Sequence, residues 1–143
     1  GHVRPNDALD PGLVFDSRWN DWLAFLCEGR LLNASTCTAL ANAGYSAQPG
    51  SFNSPSIALG TLAGTVKVKR TVTNVGPATA TFTASTAGLT GLTLEVDPPS
   101  FELARGASRT FEVTITRTGG AALDQYAGGQ LMLTRGSDGK VVR

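Results

Sequence analysis

Val66-Lys67-Val68-Lys69-Arg70-Thr71-Val72-Thr73-Asn74-Val75-Gly76-Pro77 is the stretch from which the architecture of this chain can be read. Val66, Val68 and Val72 fall on one parity, and Lys67, Lys69, Thr71 and Thr73 on the other. That period of two, in β-branched residues, predicts a strand with one buried face. Asn74, Gly76 and Pro77 supply turn chemistry at its end. Arg70 interrupts the buried parity. Such a residue marks a bulge, a side chain that snorkels to solvent, or a basic functional site.

Downstream the same alternation recurs. Ile57 and Leu59 predict a short strand just after Pro55. Ala80, Phe82 and Ala84 alternate with threonines; Leu92, Leu94 and Val96 alternate with Thr93, Glu95 and Asp97. Phe101 and Leu103 mark a brief strand, and Phe111, Val113 and Ile115 a longer one. Gly119-Gly120 opens a loop that reaches Tyr126, and Leu131 and Leu133 mark the next strand. Ser137-Asp138-Gly139 is a hairpin-turn signal, with a return strand from Lys140 to Arg143. Seven or eight short strands separated by turns make a mainly β chain, folded as an antiparallel β-sandwich.

Upstream the pattern changes. Pro5, Pro11 and Gly12 forbid a long helix over residues 1 to 18. Trp19, Trp22, Leu23 and Leu26 recur at three- and four-residue spacing and predict a short helix, capped by Ser17 or Asn20 and stopped at Gly29. A second short helix runs from Ser35 or Thr36 to Asn42 and ends at Gly44. This gives an irregular, short-helical connector over residues 1–54 and a sandwich over 55–143.

Cys27 and Cys37 are the chain's two cysteines. A disulfide clipping the two helices fits the isolated pair best, with two buried free thiols as the other reading. A zinc site would need two further ligands, and His2 is the single histidine.

The chain has 143 residues, 41% hydrophobic and 16% charged, with a net charge of +1. That suits one domain, or a domain with an appendage. No basic stripe points to nucleic acid. Lys67, Lys69 and Arg70 form the one basic cluster, best read as the wet side of a strand. No apolar run approaches the roughly 20 residues of a membrane span. The absence of a leader at Gly1 suggests a mature chain or a fragment.

Several motifs now combine. Gly1-His2-Val3-Arg4-Pro5-Asn6-Asp7-Ala8-Leu9-Asp10-Pro11-Gly12-Leu13-Val14-Phe15-Asp16 resembles the segment that leaves the catalytic domain of plant-type subtilisin-like serine proteases. Trp22 to Cys27 is similar to the helix that follows in that family. Phe52-Asn53-Ser54-Pro55-Ser56-Ile57 resembles the start of its last domain, and Arg70-Thr71-Val72-Thr73-Asn74-Val75-Gly76 and the closing hairpin at Ser137-Asp138-Gly139 resemble its later motifs. The cysteine pair and residues 57–64 look closer to secreted bacterial members. The resemblance implies a C-terminal, fibronectin-III-like domain of a secreted, extracellular endopeptidase, whose catalytic Asp, His and Ser lie upstream of Gly1.

No catalytic, cofactor-binding or metal-ligating set is expected here. His2 has no nucleophile context. Asp7, Asp10, Asp16 and Asp21 match no calcium loop and suit turns and caps. Asn33-Ala34-Ser35 is a glycosylation sequon that matters only in a eukaryotic source.

The leading reading is a non-catalytic accessory domain that stabilises or docks on the protease core, or shapes substrate access. Its partners would be the catalytic domain of the same polypeptide or a second copy of the chain. The alternative is an autonomous module that binds carbohydrate, a cell surface or a protein. Leu9, Leu13, Val14, Phe15, Trp19, Trp22 and Phe25 are the candidate docking residues. They carry too much apolar surface to stay wet, at about 1.5–3 kcal/mol per large side chain. They precede the strands, and so are expected to lie outside the sandwich's own core.

Overall fold

The computed structural model describes residue 5 and residues 7–142. Gly1, His2, Val3, Arg4, Asn6 and Arg143 lie outside the described residues, as do the expectations attached to His2, Val3 and Arg143. Two helices, α1 (Trp19–Glu28) and α2 (Ala34–Asn42), accompany eight strands. The strands are β1 (Leu13–Val14), β2 (Thr65–Asn74), β3 (Ala80–Ala87), β4 (Leu92–Asp97), β5 (Ser100–Leu103), β6 (Ser108–Arg117), β7 (Gln130–Arg135) and β8 (Val141–Val142). They form two sheets of four, ordered β1-β2-β6-β4 and β5-β3-β7-β8. Every pairing is antiparallel. The expected sandwich is therefore present.

Its core follows the alternation. Val68 and Val72 of β2 meet Phe111, Val113 and Ile115 of β6, and Phe82, Phe101, Leu103 and Leu133 close from the other sheet. Phe101 stacks on Phe111 at 5.9 Å between ring centres. The outer face of β2 and β6 is a hydroxyl ladder: Thr71 meets Thr110 at 2.7 Å, and Thr73 meets Ser108 at 2.7 Å. Such cross-strand pairs stabilise a wet face modestly.

Three expectations change. Arg70 is neither a bulge nor a snorkelling side chain: β2 and β6 stay in continuous register across it, and Arg70 is buried. Its guanidinium donates to the carbonyls of Ser54 (2.9 Å), Ser56 (3.0 Å) and Lys69 (2.8 Å). Burial lowers its pKa. The basic cluster accordingly splits, with Lys67 exposed and paired to Glu112 at 2.7 Å. Ile57 and Leu59 form no strand, yet both pack against the core. Pro55 and Gly60 bound too short a run to pair, so a loop delivers the apolar side chains instead.

The third change concerns the connector. Leu13 and Val14 pair with Asn74 and Thr73 as an edge strand. Leu13 is 3% exposed and belongs to the core, and Phe15 packs against it. These three residues are structural members of the sandwich, which corrects their expected place outside it. Gly12 sets up the pairing with φ 74°, a value L side chains rarely adopt. Its carbonyl accepts from the Val75 amide at 3.0 Å.

Candidate docking surface

The ladder that β1 starts on the edge of β2 does not end with Val14. One step on, opposite Thr71, the side chain of Asn53 takes the place of a strand. Its Oδ1 accepts from the Thr71 amide at 2.8 Å, and its Nδ2 donates to the Thr71 carbonyl at 2.9 Å. The same Nδ2 donates to the Asp16 carbonyl at 3.0 Å. A carboxamide carries one acceptor and two donor hydrogens, so it satisfies an exposed strand edge much as a peptide unit would. Ser17 Oγ donates to the Asn53 carbonyl, and Thr73 Oγ1 donates to Asp16 Oδ2 at 2.7 Å. Residues 16–17 and 53–54 are thus pinned together on β2, and the helical hairpin projects between them.

That hairpin is small. Helix α1 begins after Arg18, whose amide donates to the Asp21 carboxylate at 2.8 Å, so the first-turn acid takes the capping role expected of Ser17 or Asn20. The turn after α1 places its left-handed residue at Arg30 (φ 56°), one position past the expected stop. Asn33 caps α2 by accepting from the Thr36 amide at 2.8 Å. Cys27 and Cys37 are joined by a disulfide, with their Cα atoms 5.7 Å apart.

One face of α1 carries Trp19, Trp22 and Phe25, at 73%, 49% and 43% exposure. Trp22 and Phe25 lean on Phe52, with ring centres 4.5 and 5.6 Å apart. Phe52 sits beside Asn53, so the aromatic group stands on the pinned base of the hairpin. Leu9 is separately exposed, at 87%, on a 3₁₀ turn (Asp7–Leu9). The seven candidate residues therefore divide. Leu13, Val14 and Phe15 face or pair with the sandwich, while Leu9, Trp19, Trp22 and Phe25 remain on the surface.

A second junction fixes the start of the connector. Arg135, buried at the end of β7, donates through Nη2 and Nη1 to Asp10 (2.6 and 3.2 Å). Through Nε and Nη2 it donates to Asp138 (2.9 and 2.6 Å). Hydrogen bonds from Arg135 lower the pKa of Asp10 and bring that of Asp138 down to about 2. The two carboxylates in turn raise that of Arg135. Lys140 Nζ donates to the Asp10 carbonyl. Asp10 and Asp138 thus serve as structural anions, in keeping with the turn roles expected for Asp10.

Among the described residues no three His, Cys, Asp or Glu side chains gather as metal ligands. No helix among them is long and apolar enough to cross a membrane. What the geometry offers is a rigid sheet scaffold presenting an aromatic face.

A family model for the fibronectin type-III domain matches residues 51–143. The chain belongs to the fibronectin type-III domain family. Subtilisin-like protease SBT2.5 of Arabidopsis thaliana is 40% identical to it, over 100% of this chain and 18% of that protein. Subtilisin-like protease SBT2.6 of the same plant is 39% identical, over 99% of this chain and 17% of its own length. A subtilisin-like protease of Glycine max is 38% identical, over 95% and 18% respectively. The chain thus spans less than a fifth of the curated relatives it matches. Their similarity covers the residues before the matched stretch as well as residues 51–143.

Proposed function

We propose that this fibronectin type-III domain and its connector are the non-catalytic C-terminal accessory part of a secreted subtilisin-like serine endopeptidase, docked on the protease core through α1. The observation that carries the reading is the match of the whole chain to under a fifth of proteins named subtilisin-like proteases, together with the aromatic face that the sandwich leaves uncovered. In this reading residues 1–54 connect the catalytic domain to the sandwich of 55–143, and lend Leu13, Val14 and Phe15 to it. Leu9, Trp19, Trp22 and Phe25 meet the protease core. Covering such side chains is worth about 1.5–3 kcal/mol each when complete, enough for a handful to hold two domains together. The domain then acts by stabilising the protease rather than by touching substrate.

The test uses the full-length parent protease carrying Trp19→Ala and Trp22→Ala together. The double variant should keep its peptidase activity at low temperature and lose it earlier on heating than the parent protein. Equal thermal inactivation of the two would overturn the docking role.

A further inference from the structure

The connection between β6 and β7 contains the longest run of exposed residues among those described, from 122 to 130. No main-chain group of residues 122–129 is hydrogen-bonded among the described residues. Tyr126 stands in the middle of this span at 98% exposure, the highest of the exposed large apolar side chains. Both ends of the span are held. Upstream, the Thr118 amide donates to the Gly91 carbonyl at 2.9 Å, and Arg117 Nη2 donates to the Ala121 carbonyl at 2.9 Å. Gly91 lies so close to Ala121 that no Cβ would fit between them. Downstream, Gly129 packs against the Leu89 side chain, and β7 pairs with β3 from Gln130 onward. The other strongly exposed apolar side chains stand on tied main chain. Trp19 is in α1, Leu9 in a 3₁₀ turn, and the Leu31 amide donates to the Leu26 carbonyl at 3.2 Å. Leu123 shares the span but adjoins Asp124, whose φ of 55° is left-handed rather than extended.

We propose that Tyr126–Ala127 is a processing site, cut by a separate endopeptidase with a pocket for an aromatic side chain, and that the cut leaves the sandwich assembled. An endopeptidase needs a stretch of main chain free of its own hydrogen bonds, and exposed loop tips supply it without prior unfolding. Tyr126 brings the side chain that such a pocket takes, and Ala127, Gly128 and Gly129 after it put no bulk in the way. The reaction consumes one water. The bond between the Tyr126 carbonyl carbon and the Ala127 nitrogen breaks, leaving a carboxylate on Tyr126 and a free amine on Ala127. The piece from Ala127 onward stays bound because β7 keeps its six pairings with β3. Leu133 stays in the core, and Arg135 stays bonded to Asp10. This site does not rest on the docking role proposed for α1.

The probe is dilute chymotrypsin, which takes aromatic side chains, added to the whole folded chain. Mass spectrometry of the first products should find residues 1–126 and 127–143. The two pieces should separate in denaturant and elute together, at the position of the uncut chain, on a native sizing column. Tyr126→Ser should slow this cut by about tenfold or more, because it empties the pocket that selects the site. The side chain is exposed, so urea titration should show the variant as stable as the parent chain. A first cut beside Leu9, Trp19 or Leu31, or no cut before the whole chain is degraded, would overturn the site. An unchanged rate in Tyr126→Ser would overturn Tyr126 as the side chain that is read. Release of residues 127–143 on the native column would overturn a cut that leaves the sandwich assembled.

Discussion

Replacing Asn53 by alanine should destabilise the whole sandwich, although Asn53 lies in a loop. Its carboxamide makes three hydrogen bonds, to the Thr71 amide, the Thr71 carbonyl and the Asp16 carbonyl. A net hydrogen bond contributes about 1 kcal/mol, so their sum is near 3 kcal/mol. Asn53 is buried, so water reaches the abandoned groups poorly, and the Thr71 edge is left partly unsatisfied. We expect a loss of about 2–4 kcal/mol, a large share of the roughly 5–15 kcal/mol that holds a domain folded. With an urea m-value of about 2 kcal/mol per molar, the midpoint should fall by about 1–2 M. Asn53→Asp should be no better, since it removes both donor hydrogens and sets a carboxylate against two carbonyls. Urea titration followed by tryptophan fluorescence and by far-UV circular dichroism reads both variants. A loss under about 0.5 kcal/mol, the range of ordinary surface changes, would refute the view that Asn53 completes the edge of β2.

Opening the Cys27–Cys37 loop by the paired substitution Cys27→Ser and Cys37→Ser should cost about 2.5 kcal/mol on chain-entropy grounds; the helical part of the circular dichroism spectrum should melt first, and a single unchanged transition would count against it. Asp10 and Asp138 have lower pKa values folded than unfolded, so their stabilisation is whole above the free carboxylate value of about 4 and is lost as pH falls below it, for Asp138 toward about 2. Melting temperature against pH should therefore fall over that window, less steeply in Arg135→Met; parallel curves would exclude the Arg135 junction as the cause. Trp19→Ala in the isolated chain should change stability by no more than about 0.5 kcal/mol, because Trp19 is 73% exposed; a larger loss in urea titration would make Trp19 a packing residue.

The long strands were legible because their alternation spans several residues: Val68, Val72, Phe82, Phe111, Val113 and Ile115 all face the core as the period requires. Strand β1 was not, because two residues carry no period. Leu13 gains its burial by pairing opposite Asn74 and joining the sandwich core, far away in the chain, and nothing beside it in sequence announces that. Arg70 misled for a related reason. Its parity was right, but its partners are carbonyls of residues 54 and 56, contributed by a loop with no pattern of its own. Asn53 and Arg135 share this property, each answering main-chain or charged groups brought near only by the fold. The aromatic spacing of α1 was visible, whereas its division from Leu13, Val14 and Phe15 needed the sheet.

The most direct test of the accessory-domain account is hydrogen exchange on this chain, alone and mixed with the isolated catalytic domain of its parent protease. Alone, the Val75 amide and the strand amides of β2 and β6 should be well protected, and those of α1 less so. On mixing, amides of residues 19–28 should slow markedly while those of β2 and β6 stay as they were. If the catalytic domain leaves residues 19–28 unchanged, or slows exchange only elsewhere, the aromatic face is not the docking surface and the account is contradicted.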